Sequence, residues 1–122
     1  MNDYEFYNAN PYGDIEEDCV CRAIQKALKL PYFDVAHKLY LIGDLYDCEP
    51  LSVCCYRHLL EDIYGLKRQY ANGETVREIA QRYDDSIVLM RIDGHLTMAE
   101  YGVVLDIWDC TDEIVDMFWI VE

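Results

Sequence analysis

Apolar positions along the first half of the chain recur with helical spacing, and in the second half the period shortens to that of strands. Residues 1–17 carry neither rhythm. They are polar, acidic and Tyr-rich, punctuated by Asn8, Asn10, Pro11 and Gly13, and read as a loop or extended lead-in. From Asp18 onward, Val20, Ala23, Ile24, Ala27 and Leu28 mark one helix face, with Lys26 and Lys29 near the end where cations suit the helix dipole. Pro31 stops that helix. A second helix is predicted from Tyr32 to Tyr46, with Val35, Ala36, Leu39, Tyr40 and Ile42 on its apolar side. A third is predicted from Pro50 to Tyr64, entered by proline and left at Gly65, and a short fourth near Glu74, striped by Val76, Ile79 and Ala80.

The strand half begins at Ser86. Ser86–Ile92 is rich in β-formers and bounded by Asp85 and by Asp93-Gly94. His95–Glu100 follows as a strand, Tyr101-Gly102 as a turn, Val103–Trp108 as a third strand and Ile114–Val121 as a fourth. Helices first and an antiparallel meander after them predict an α+β fold, with the N-terminal helices packed on a C-terminal antiparallel sheet. With no repeat and no low-complexity linker, residues 1–122 read as one domain.

Composition agrees with a packed core. Of 122 residues, 52% are hydrophobic and eleven are Tyr, so a disordered chain is excluded. No window reaches the roughly 18 uninterrupted apolar residues of a membrane span. Met1–Glu5 has neither a basic start nor an apolar run, so no secretory signal is expected, and a cytoplasmic location is. Twenty-four acids against ten bases give a formal charge of −14, which opposes binding to nucleic acid or anionic membrane. The acidity has two readings: plain solubility, or a negative surface offered to a basic protein partner.

Six cysteines (Cys19, Cys21, Cys48, Cys54, Cys55 and Cys110) read as reduced thiols, since nothing sends the chain to an oxidising compartment. Cys54 and His58 share a helix face, with Cys48 and Cys55 nearby, and a zinc-stabilised module on these four is one reading. No Cys-x-x-Cys knuckle accompanies them, and core cysteines with a surface His58 is the other. Neither a metal nor a cofactor is expected.

Three residues stand out by position. Cys19 heads the first helix, where unpaired amides stabilise a thiolate. His95 opens a strand directly after Asp93-Gly94, and Asp106 lies near the end of the next. Pairing about Tyr101-Gly102 sets Glu100 near Val103 and His95 near Trp108, so Asp106 falls two positions from His95 with matching parity. Asp109, the rival carboxylate, has the opposite parity. Asp106 would then orient the imidazole, and the imidazole would take the thiol proton. Each residue also has a plainer reading: a core thiol, a strand-start His, a solvated Asp. Cys21 reads as a core residue and His37 as a surface or partly buried one.

This chain order resembles that of papain-like cysteine peptidases: Cys at the head of the first helix, His at the start of a later strand, Asn or Asp closing the following one. Asp106-Ile107-Trp108 is similar to their Asn-Ser-Trp, and Asp18-Cys19 to the Asp-Cys opening of double-glycine leader peptidases. Asp18–Ala23, Gly94–Thr97 and Trp108–Cys110 also resemble segments of small phage and mobile-element proteins. The resemblance implies a papain-like fold and a Cys19–His95–Asp106 triad acting on a peptide or isopeptide bond, with Trp108 shielding the Asp–His pair. The family's oxyanion-hole Gln, six residues before the nucleophile, is replaced by Gly13. Asn8, Asn10 or the Cys19 backbone amide would take that role. Asp14, Glu16, Glu17 and Asp18 crowd the thiol with like charge. A second reading therefore stands beside the hydrolase: an acidic binding protein that keeps the fold without turnover and sequesters a host or defence protein.

Overall fold

Glycine-bearing turns set the centre of the molecule. In a computed structural model that describes residues 3–8 and 19–121, Asp93-Gly94 joins strand β3 (Ile87–Ile92) to β4 (His95–Glu100). Tyr101 and Gly102, both at positive φ (52° and 87°), join β4 to β5 (Val103–Asp106), the backbone twist that a two-residue hairpin requires. Glu100 pairs with Val103 and Ala99 with Val104, as the turn predicts.

The sheet is larger and differently ordered than the sequence suggests. Its six strands run β1-β5-β4-β3-β6-β2, with β1 at Tyr4–Phe6, β2 at Arg68–Tyr70 and β6 at Met117–Ile120. β1 lies inside the expected lead-in and pairs parallel with β5, Phe6 facing Asp106, so the sheet is mixed. β6 returns to pair with β3 rather than with β5, so the strands do not form a simple meander. β2, which has no apolar alternation of its own, forms by pairing with β6.

Three helical segments cover one face. Helix α1 (Cys19–Leu28) buries Val20, Cys21, Ala23, Ile24 and Ala27 against β3 and β4, in one cluster with Leu89, Leu96, Met98 and Trp119. Lys29 at positive φ and Pro31 end it. Helix α2 (Tyr32–Tyr46) buries Val35, Leu39, Ile42 and Gly43, whereas Tyr40, expected on the apolar side, is exposed. The expected third helix is two pieces. Ser52, not Pro50, caps α3 (Val53–Arg57) by accepting from the Cys55 amide, and a π-helical turn continues it over His58–Ile63. Full burial of Leu59 and Leu60 anchors that turn in the same cluster.

Helix α4 (Val76–Arg82) breaks the one-sided expectation. Its Val76, Ile79 and Ala80 pack with Val88, Met90, Ala99, Val104 and Phe118 on the opposite face of the sheet. Thr75 and Glu78 close a reciprocal capping box at its start. Among the described residues the architecture is thus α+β, with four helices on both faces of a six-stranded mixed sheet. None of these helices is long and apolar enough to cross a membrane.

Candidate active site

Cys19, His95 and Asp106 come from three elements that end at one edge of the molecule. His95 and Asp106 share the parity of Ala99 and Val104, while Cys19 heads the helix on the other face. The paired ladder between β4 and β5 runs only to Ala99–Val104, and β5 ends at Asp106 rather than at Trp108. His95 therefore has no partner at position 108 in the ladder. Its ring reaches Asp106 directly, Nε2 to Oδ2 at 2.6 Å.

Asp106 is held from several sides. It is 6% exposed, its Oδ1 accepts from the Ile107 amide at 2.7 Å, and its backbone carbonyl accepts from the Tyr7 amide and the Tyr4 hydroxyl. The unforeseen parallel strand β1 is thus what braces the acid. The Trp108 indole nitrogen also lies 3.2 Å from His95 Nε2, with the rings edge to face. One ring nitrogen does not both donate to a carboxylate and accept from an indole. The shorter, charge-assisted contact fixes the proton on Nε2 and leaves Nδ1 for the thiol.

The electrostatics follow from that arrangement. Burial opposes a charged His95 ring, but the bond to Asp106, contacts with Cys110 and Cys19 and the Asp106 charge outweigh it, so its pKa is raised. Burial likewise opposes a Cys19 thiolate. Hydrogen bonds from His95 and the Leu96 amide, with the charge of His95, reverse the sign, and the Cys19 pKa is lowered. Cys21, two residues on, lacks such partners, and burial raises it to about 11. A low thiol beside a high imidazole is the condition for a thiolate–imidazolium pair.

Two clefts adjoin the pair. A cleft of ≈ 490 Å³ is bordered by Arg22, Leu51, Gly94, Ile107 and Trp108, and a second of ≈ 200 Å³ by Leu51, Ser52, Tyr56, Arg91 and Leu96. Cys19 and His95 line both.

The remaining candidates separate cleanly. Asn8 is partly buried beside Tyr7, whereas Asn10 and the acids Asp14, Glu16, Glu17 and Asp18 lie outside the described residues. Asp109 caps its own turn, accepting from the amide and hydroxyl of Thr111. His37 is exposed and Cys21 is core, as expected. All six cysteines are free. The set Cys48, Cys54, Cys55 and His58 does not gather as a zinc site. Cys55 is buried and donates to the Leu39 carbonyl, and Cys54 is exposed rather than core. His58 stacks on Tyr46 and bonds Asp62 at 2.6 Å. Two further residues at the site were not among the expected site residues. Arg22, a buried cation one helical turn from Cys19, feels the charge of Asp106. Cys110 lies 3.9 Å from Asp106 Oδ2, and only its spacing of four from Asp106 hints at this. The chain matches no family model, no curated protein and no solved structure.

Proposed function

We propose that the protein is a cysteine hydrolase of papain-like type, acting on a peptide or isopeptide bond. The observation that carries this reading is the His95 Nε2–Asp106 Oδ2 contact of 2.6 Å, on a residue that lines the same two clefts as Cys19. Cys19 Sγ attacks the carbonyl carbon and forms a thioester as the C–N bond breaks. His95 gives its Nδ1 proton to the leaving amine, then takes a proton from the water that cleaves the thioester. Asp106 holds the ring in the orientation and tautomer both steps need. Helix α1 starts at the nucleophile, and the first amides of a helix have no partner within it, so the Cys19 amide is the natural donor to the oxyanion.

Alternating support comes from the layout: helix-borne thiol, strand-borne His, acid at the end of the neighbouring strand, aromatic Trp108 over the His–Asp pair. This is the order in which papain-like enzymes present their triad. A folded, non-catalytic binding protein would not need a thiol poised in this way.

The test is the rate at which iodoacetamide labels each cysteine near neutral pH, read by peptide mass mapping. Cys19 should label first, and the fast phase should vanish in Cys19→Ala and slow in His95→Ala. A Cys19 no faster than a thiol of the unfolded chain would overturn the reading. With the fast phase established, fluorogenic peptide and isopeptide libraries identify the bond cleaved.

A further inference from the structure

At the imidazole three unlike donors converge. A ring nitrogen of His95, a carboxylate oxygen of Asp106 and Cys110 Sγ all lie within 4.8 Å of one another. We propose that these three residues form a binding site for a thiophilic divalent cation of the zinc type, and that the ion takes the place of the Nε2 proton through which Asp106 holds His95.

The donor set is the first argument. Nitrogen, carboxylate oxygen and thiolate are the ligands zinc takes, and three protein ligands leave a tetrahedral ion one position for water. Geometry is the second. Zinc bonds of about 2.0–2.3 Å place two donors of one ion roughly 3–4 Å apart. The Cys110–Asp106 separation of 3.9 Å already fits. The His95–Asp106 contact, 2.6 Å with a proton in it, must widen to beyond about 3 Å as the ion takes that proton's place, and the His95 and Cys110 donors, within 4.8 Å of each other, must close on the same ion. Charge is the third. Carboxylate and thiolate together balance a 2+ ion in a site where Cys110 is fully buried and Asp106 nearly so, and where an unbalanced ion would be costly. Entry is the fourth: the residue over the outside is Trp108, 42% exposed.

Binding releases two protons to solvent, one from His95 Nε2 and one from the Cys110 thiol, with no change of oxidation state. The metal site stands on donor geometry alone. Its effect on Cys19 rests on the hydrolase reading, because an imidazole bound to a cation is no longer the partner that Asp106 orients toward the thiol.

Cobalt(II), titrated into the reduced full-length chain, tests the site directly through its thiolate charge-transfer absorption. Wild type and Cys19→Ser should each bind one cobalt with that band. Cys110→Ser and Cys110→Ala, both checked for folding by circular dichroism, should lose the band, and Asp106→Asn should weaken binding by at least about tenfold. A band that survives loss of Cys110, or that disappears with Cys19 or Cys48 instead, overturns the proposal. So does the absence of a band in wild type. Zinc should slow iodoacetamide labelling of Cys19 in wild type and leave it unchanged in Cys110→Ser. Cobalt bound through Cys110 to a protein whose Cys19 is slow even without metal would uphold the site and remove the hydrolase reading. A fast Cys19 with no cobalt band would do the reverse.

Discussion

Nε2 of His95 meets Oδ2 of Asp106 at 2.6 Å, while the other oxygen of that carboxylate is tied to the Ile107 amide at 2.7 Å. The acid is thus fixed before it fixes the ring. Asp106→Asn keeps the shape and loses the charge, so the thiolate–imidazolium pair loses its anchor while the fold persists. Asp106→Ala also leaves buried donors without an acceptor, at a cost of about 1–3 kcal/mol. Chemical denaturation near neutral pH should show Asn below wild type, because the charge that favours protonated His95 is gone, and Ala lower still. Labelling of Cys19 at pH 7 should be slowed in both. Equal labelling rates in all three proteins would remove Asp106 from the mechanism.

The paired shifts of Cys19 and His95 set a pH window. An ordinary thiol is only a few per cent thiolate at pH 7. The lowered Cys19 pKa keeps its labelling fast at and below neutrality, and the rate should fall only as pH drops through that lowered value. In His95→Ala the midpoint should climb, each unit regained removing about tenfold in thiolate at fixed pH. Stability carries the opposite sign of pH dependence for the ring. A raised folded pKa means that protonated His95 stabilises the fold fully below its unfolded value of about 6.5, and that this is lost as pH rises through the folded value. The deficit of His95→Gln against wild type, from denaturation midpoints, should therefore be larger at pH 6 than at strongly alkaline pH. A deficit independent of pH would contradict the shift.

What the sequence made legible follows from where the information is local. Asp93-Gly94 and Tyr101-Gly102 specify their hairpins through positive-φ turns, so the register that carries His95 and Asp106 could be read from the residues between them. The helix starting at Cys19 announces itself by period. Strands β1 and β2 do not: Tyr4–Phe6 and Arg68–Tyr70 are three residues each, too short for any alternation to show, and they exist because β5 and β6 offer them edges. The same holds for the face α4 covers. Its apolar stripe says that it packs, but Ala99, Val104 and Phe118, which help receive it, are distant in sequence. Within the site, the nearness of His95 and Asp106 was foreseeable from turn register, whereas the bracing of Asp106 by Tyr4 and Tyr7 depends on a long-range parallel pairing.

Gly43 ties helix α2 to the loop that carries Leu51 to the cleft. A Cβ at this position would lie 2.7 Å from the Cys48 carbonyl oxygen, a backbone atom that cannot swing aside. Gly43→Ala therefore forces the helix end and the following loop apart, an overpacking cost of about 1–3 kcal/mol despite alanine's better helix propensity. Urea denaturation should show that loss. A variant as stable as wild type, or more so, would mean that the loop yields without cost. Gly65→Ala is the contrast: no atom crowds its Cβ, and only its positive φ opposes the substitution.

Trp108 is large, 42% exposed and edge-on to His95 with ring centres 5.3 Å apart, an arrangement that costs solubility unless the ring covers something. What it covers is the His95–Asp106 bond. Removing the indole in Trp108→Ala admits water to a contact whose strength depends on low local dielectric. The pair should weaken, Cys19 labelling at pH 7 should slow, and the residual rate should become more sensitive to added salt, since exposed charges are screened and buried ones are not. Trp108→Phe keeps an apolar cover but lacks the indole N–H that lies 3.2 Å from Nε2. Because that N–H is not the bond that holds the ring, Phe should retain most of the wild-type rate and its salt dependence. Labelling rates across a salt series for the three proteins separate the two roles. If Phe proves as slow as Ala, the indole nitrogen orients His95 directly and the shielding account fails.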